Sequence, residues 1–248
     1  MTSERANLGM FSKTWFVILL ATLLVSGITA KLGFWQLGRA QTKEALNAIT
    51  VARQLEPALR NDDWASEGVP DTWLQRRAEL EGHWLPQFTV YLDNRSMKSQ
   101  TGFFVLTPFQ LSNGSVLLVQ RGWVARDRVR SDLLPPVQTP QGQLKIQGRV
   151  VSSPSKLMEL GATVPSQEGF KVLRQNIELE AFRLETKLPL LATLQQTSDA
   201  TDGLVREWPQ SISGADKNRG YAFQWFALSA LALLLFVWFQ VWKKIKHV

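Results

Sequence analysis

Residues able to carry out chemistry are few in this 248-residue chain. It has two histidines, His83 and His247, and no cysteine, so it has neither thiolates nor disulfides, and a metal would have to rest largely on carboxylates. No run of acids has the spacing of an oxygen-ligand loop. The pair Asp62-Asp63 lies in a polar stretch where both side chains are solvated. There is no nucleophile elbow, phosphate-binding loop or dinucleotide glycine fingerprint. The sequence therefore offers no catalytic residues and no metal site. What remains is recognition by three arginines, whose forked donors match carboxylates. Arg39 ends the string Gly33-Phe34-Trp35-Gln36-Leu37-Gly38-Arg39, Arg95 ends Tyr91-Leu92-Asp93-Asn94-Arg95, and Arg121 lies in Val119-Gln120-Arg121-Gly122-Trp123-Val124. Each string also has a plainer reading. Trp35 and Arg39 suit an interfacial anchor, Asp93 and Asn94 a turn, and the third a core Trp123 beside a bulge at Gly122 and a surface Arg121.

The elements that must position these strings begin with two apolar runs, one from Trp15 to about Leu37 and one from Tyr221 to about Trp242. Each is about 20 residues long, enough to cross a bilayer as a helix. Trp225, Trp238 and Trp242 fall near the ends of the second run, and Lys243, Lys244 and Lys246 follow it. The first run resumes past Lys31 through Leu32, Phe34 and Trp35 and lacks a small-residue cleavage pattern, which favours a retained helix over a signal peptide. The expected layout is a cytoplasmic tail 1–13, a span 14–37, an extramembrane domain 38–220, a span 221–242 and a basic tail 243–248. Short basic tails (Arg5, Lys13; Lys243, Lys244, Lys246) stay in the cytoplasm, which places the central region in the periplasm of a bacterial cell whose inner membrane holds the chain. The net charge of +7 is scattered among acids without a basic stripe, so nucleic acid is not an expected partner and the lipid bilayer is.

The central region is long enough for one domain. Ala45, Leu46, Ile49, Ala52, Leu55 and Leu59 recur at helical spacing and predict an amphipathic helix over 41–60. Strand patterns follow. Phe88, Val90 and Leu92 alternate with Thr89 and Tyr91 up to a turn at Asp93-Asn94-Arg95-Ser96, and Gly102 to Thr107 is a strand stopped by Pro108. Asn113-Gly114 joins that run to Val116-Val119 as a hairpin. Leu144 to Val151, Phe170 to Leu173 and Leu190 to Leu194 read as further strands, with a short helix over Glu178–Lys187. The fold class expected is α+β: two transmembrane helices flanking an antiparallel β-rich domain, a small barrel or sheet, with short helices.

The order GFWQLGR, LDNR, GFFVLTP, VQRGWV and finally GYAFQWF at the last apolar helix resembles the Surfeit locus protein 1 family, from about Gly33 to Phe226. These are membrane assembly factors for haem–copper cytochrome c oxidase. The resemblance implies a non-catalytic role in building subunit I of the oxidase, with haem a and the proteins that make or insert it as partners. It makes Trp35, Gln36, Arg39, Asp93, Asn94, Arg95, Arg121, Gly122 and Trp123 candidate partner contacts. Arg219, Tyr221 and Trp225 are weak candidates for transient contact with haem a, Arg219 through a propionate, and no cofactor is expected to be firmly bound. Gly33, Gly220 and Ala222 are candidates for close helix approach. Family members carry a histidine shortly before the final helix, associated with haem contact; here that place is taken by Asn218, which cannot replace imidazole as an axial ligand. Two other classes compete with this reading. A tethered envelope hydrolase would need a nucleophile–base set, and a two-span sensor or adaptor for a periplasmic ligand would need an output module.

Overall fold

The computed structural model describes residues 13–65, 69–127, 129, 133–154, 170–208 and 214–242. The tail residues Arg5, Lys243, Lys244, Lys246 and His247 lie outside them. The chain divides into a helical unit, 1–48 with 210–248, and a β-rich unit, 49–209.

Helix α1 runs from Lys13 to Leu55 without a break. At 1.5 Å per residue it is about 65 Å long, so the span and the amphipathic helix expected after it form one rod. No proline interrupts it, and it stops two residues short of Pro57, whose ring disfavours helical geometry in the residue before it. Helix α3 covers Ala215–Phe236 and passes into a π-helical turn, Val237–Trp242. Phe16, Leu20, Leu24, Phe223 and Leu234 point outward and are more than half exposed. Such a surface suits contact with lipid, and both helices are long and apolar enough to cross a membrane.

The two helices pack antiparallel through small residues spaced by seven, Ser26, Gly33 and Ala40, all buried. The Ser26 hydroxyl donates to the Ser229 carbonyl at 3.2 Å, and the Ser229 hydroxyl donates back to the Ser26 carbonyl at 3.0 Å. Gly33 lies against the Phe226 ring so closely that a Cβ would fall 2.6 Å from it. Ala222 is also buried, but Gly220 faces open space and takes no part in the approach.

The β-rich unit has seven strands: β1 (Arg77–Trp84), β2 (Val90–Met97), β3 (Gln100–Leu111), β4 (Val116–Ala125), β5 (Leu144–Val151), β6 (Leu173–Arg174) and β7 (Leu190–Gln196). A short helix α2, Leu179–Thr186, precedes β7. Because β1 pairs with both β5 and β3, the order β1-β5-β7-β4-β3 closes into a five-stranded barrel, with β2 and β6 continuing the sheet from β3. Most pairings are antiparallel, as expected, while β4–β7 and β2–β6 are parallel. Alternate residues fill the barrel, among them Leu80, Trp84, Phe109, Leu117, Ile146 and Leu194, joined by Leu59 and Trp64 from the segment after α1. The outer face of β2–β3–β4 (Leu92, Phe104, Leu106, Leu118) forms a second core under Phe182 of α2.

Three local expectations change. Asp93-Asn94-Arg95-Ser96 is not a turn. Strand β2 continues through it with a bulge between Leu92 and Arg95, where Asn94 takes φ 55°, and the reversal comes at Lys98-Ser99. Pro108 does not stop β3 either. Its carbonyl accepts from the Leu85 N–H, so its ring nitrogen faces the side where pairing passes from β2 to β1 and no ladder donor is lost. Phe170 is not in a strand; it packs between Phe88 and Phe182, leaving β6 with two residues. The Asn113-Gly114 hairpin is present, with Gly114 at φ 90°.

Candidate functional site

The string on β4 gains its shape from a bulge. Gly122 pairs with Val105 and Gln120 with Leu106, leaving Arg121 as the extra residue. Its side chain turns inward, 1 % exposed, with the guanidinium 4.7 Å from the Trp84 ring centre. It donates to the Thr139 hydroxyl at 2.7 Å and the Gln138 carbonyl at 2.8 Å, and meets the Asp202 carboxylate at 3.1 Å. Arg206 shares the same Asp202 oxygen at 2.6 Å, and the Leu204 N–H donates to the other oxygen at 3.2 Å.

Gly122 makes this possible. The segment 202–206 crosses directly over it, Trp123 and Val205 exchanging two backbone hydrogen bonds of 2.8 Å, and a Cβ on Gly122 would lie 2.6 Å from that of Leu204. Burial alone would raise the Asp202 carboxyl, but the Arg206 hydrogen bond and charge, with Leu204 and Arg121, more than offset it and hold it below the ordinary value. Burial lowers Arg121, against the pull of Asp202.

The string on β2 joins the string on β4 across β3. Trp123 Nε1 donates to the Arg95 carbonyl at 2.8 Å. The buried Arg95 guanidinium donates to the Gln175 carbonyl at 2.8 Å and lies 6.0 Å from the Phe104 ring centre. Burial lowers its pKa, with Asp93 opposing. Asp93 pairs with Arg126, which also covers the Phe103 ring at 4.7 Å. Asn94 is exposed. The structure thus gathers Asp93, Arg95, Arg121, Gly122 and Trp123 into one frame, but Arg121 is not the surface charge of the plainer reading. Arg95 and Arg121 turn to partners inside the chain.

The remaining candidates lie in the helical unit. Arg39 stacks over Trp35 at 5.5 Å. The Asn218 amide donates to Gln36 Oε1 at 2.5 Å, while its own oxygen accepts from Lys43 Nζ at 2.7 Å. Arg219 pairs with Glu44 at 2.7 Å, with Asp216 further off. Tyr221 is exposed and Trp225 half-buried.

The sequence profile of the SURF1 family matches residues 23–230. The chain belongs to this family. A SURF1-like protein of Rickettsia bellii is 28 % identical over 232 residues, 88 % of each chain. The cytochrome oxidase assembly protein SHY1 of Saccharomyces cerevisiae is 26 % identical over 106 residues, 42 % of this chain and 27 % of its own. A SURF1-like protein of Drosophila melanogaster is 23 % identical over 250 residues, 93 % of this chain and 78 % of its own.

Within this SURF1-family chain the residues do not fit axial ligation of haem iron at the Asn218 position. The amide there is engaged at both ends by Gln36 and Lys43, and no imidazole lies among the described residues of the helical unit. His83 lies on β1 beside a cavity of about 770 Å³ that also takes in Trp84 and Tyr91. Among the described residues no three acids or histidines gather as metal ligands. Sequence reasoning missed Asp202, Arg206 and Lys43. The one local signal for the first two was Asp202-Gly203, a turn pair with Gly203 at φ 76° and Arg206 four residues past the acid. Nothing local marked Lys43 as the partner of a residue 175 positions away.

Proposed function

We propose that this protein is a non-catalytic assembly factor for haem–copper cytochrome c oxidase that aids insertion of haem a into subunit I or stabilises that subunit before the haem is in place. Membership of the SURF1 family carries the reading, with the yeast relative named for oxidase assembly in support. A barrel whose buried arginines bond to groups of its own chain suits a rigid body that presents a surface to a partner better than one that turns over substrate. Asn218 supplies no iron ligand, so haem a contact is transient and the protein holds no haem firmly. Deleting the gene should lower assembled, haem-replete oxidase while leaving the subunit I transcript unchanged. Normal oxidase spectra in a clean deletion, where this oxidase is the main one, would contradict the proposal.

The orientation that suits this role places the β-rich unit in the periplasm and both termini in the cytoplasm of a bacterial inner-membrane protein. Periplasm-active reporters inserted after Arg130 should give signal, and the same reporters at the C-terminus should not. The reverse pattern would overturn the topology.

A further inference from the structure

The cations at the membrane boundary where α1 leaves the bilayer toward the β-rich unit are not equivalent. Arg219 is neutralised by Glu44, with Asp216 nearby. Arg39 and Lys43 have no carboxylate partner among the described residues. Arg39 rests on the Trp35 ring, and Lys43 Nζ meets only neutral oxygens, Asn218 Oδ1 at 2.7 Å and the Gly214 carbonyl at 3.4 Å. Trp35, Arg39 and Lys43 are each four residues apart and form one stripe along α1. Asn218, Tyr221 and Trp225 recur at intervals of three and four and form one stripe along α3. The Lys43–Asn218 hydrogen bond joins the two stripes into one face, and Arg219 turns to Glu44 instead.

Side chains on a helix lean toward its N-terminus. Those of α1 therefore lean back toward the bilayer, while those of α3, which enters the bilayer at this boundary, lean away from it. The two cations of α1 and the two aromatic rings of α3 converge on the headgroup layer, where Trp and Tyr prefer to sit.

We propose that this face binds the phosphate of an anionic phospholipid, held by Arg39 and Lys43 and flanked by Trp35, Tyr221 and Trp225. Two uncompensated cations on one stripe at headgroup level are complementary to that anion, and a zwitterionic headgroup would bring its own cation against them. The occupant is a lipid rather than a soluble phosphate, because the rings below the cations need an apolar body at the same point.

The test uses the full chain in nanodiscs of mixed phosphatidylglycerol and phosphatidylcholine, with co-purifying lipid counted by native mass spectrometry. The wild type should retain phosphatidylglycerol with about a tenfold preference, the gain expected of one or two charge-assisted contacts. Arg39→Gln with Lys43→Gln should bring that preference to about twofold or less, the level left by the general surface field. Lys217→Gln removes an exposed cation of the same boundary, on α3 one turn before Tyr221 and outside the Arg39–Lys43 stripe, and should leave it intact. All three side chains changed here are exposed, and unaltered thermal unfolding would show the double variant folded. Absence of a preference in the wild type would overturn the proposal, as would a loss in Lys217→Gln equal to that of the double variant. Displacement of the lipid by millimolar glycerol phosphate would overturn the lipid assignment.

Discussion

Replacing Asp202 by alanine should destabilise the β-rich unit by about 3–5 kcal/mol, the cost of leaving buried charges without their counter-ion. The carboxylate is the only acid between Arg121 and Arg206 among the described ion pairs, and the side chains are 4 %, 1 % and 7 % exposed. Without it, two guanidinium groups face each other away from water. Arg121→Met should cost less, about 1–3 kcal/mol, because Asp202 keeps Arg206 when the Arg121 contacts to Asp202, Gln138 and Thr139 are lost. Unfolding of the full chain in detergent, followed by near-ultraviolet circular dichroism, gives both values. An Asp202→Ala protein within 1 kcal/mol of wild type, the ordinary range of a surface change, would show that the node holds nothing together.

The same carboxylate sets an acid limit. Its pKa is depressed in the folded state, so its stabilisation is complete above the unfolded value and is lost as pH falls through the folded one, below about pH 4. Asp202→Ala should therefore flatten the acid limb of the stability curve.

That node shows where sequence reading ends. Local signals were sufficient for the Asn113-Gly114 hairpin, for α2 and for the two apolar helices, because hydrophobic period, turn chemistry and length all act within a few residues. They also marked a bulge on β4, one residue late, at Gly122 rather than Arg121. They left Arg121 on the surface, because what buries it is Asp202, 81 residues on, delivered by a segment that crosses Gly122. Pro108 misled for a related reason. Whether a proline stops a strand depends on which side its missing donor faces, and that is fixed by the exchange of β2 for β1 as the neighbour of β3. The pairing of Arg219 with Glu44 is not legible locally, because Glu44 lies in the other helix. Arg95 and Asn94 were put in a turn because Asp-Asn favours turns locally, and a bulge uses the same left-handed residue without reversing the chain. Local chemistry was legible throughout. Partners far along the chain were not.

Gly102→Ala should be among the most damaging methyl additions at the described glycines, costing about 3 kcal/mol or more. Its Cβ would lie 2.1 Å from the Val124 carbonyl oxygen and 2.7 Å from two atoms of the Trp123 indole. Neither neighbour can give way cheaply. Val124 is paired within β4 against Phe103, and the indole is pinned by its hydrogen bond to the Arg95 carbonyl on β2. Relief requires β3 and β4 to separate, or Trp123 to leave its slot and abandon Arg95, and either change loosens the frame that carries Arg121 and Asp202. Gly38→Ala is the matched control with the opposite sign. Gly38 lies within α1 with nothing within 4 Å of its added Cβ, so the exchange should stabilise that helix by about 0.5–1 kcal/mol. Thermal unfolding of both full-length variants, with the tryptophan near-ultraviolet band as the reporter of Trp123, separates the outcomes. If Gly102→Ala melts with the wild type and keeps that band, the close packing of Trp123 on Gly102 is not what holds the β2 and β4 strings together.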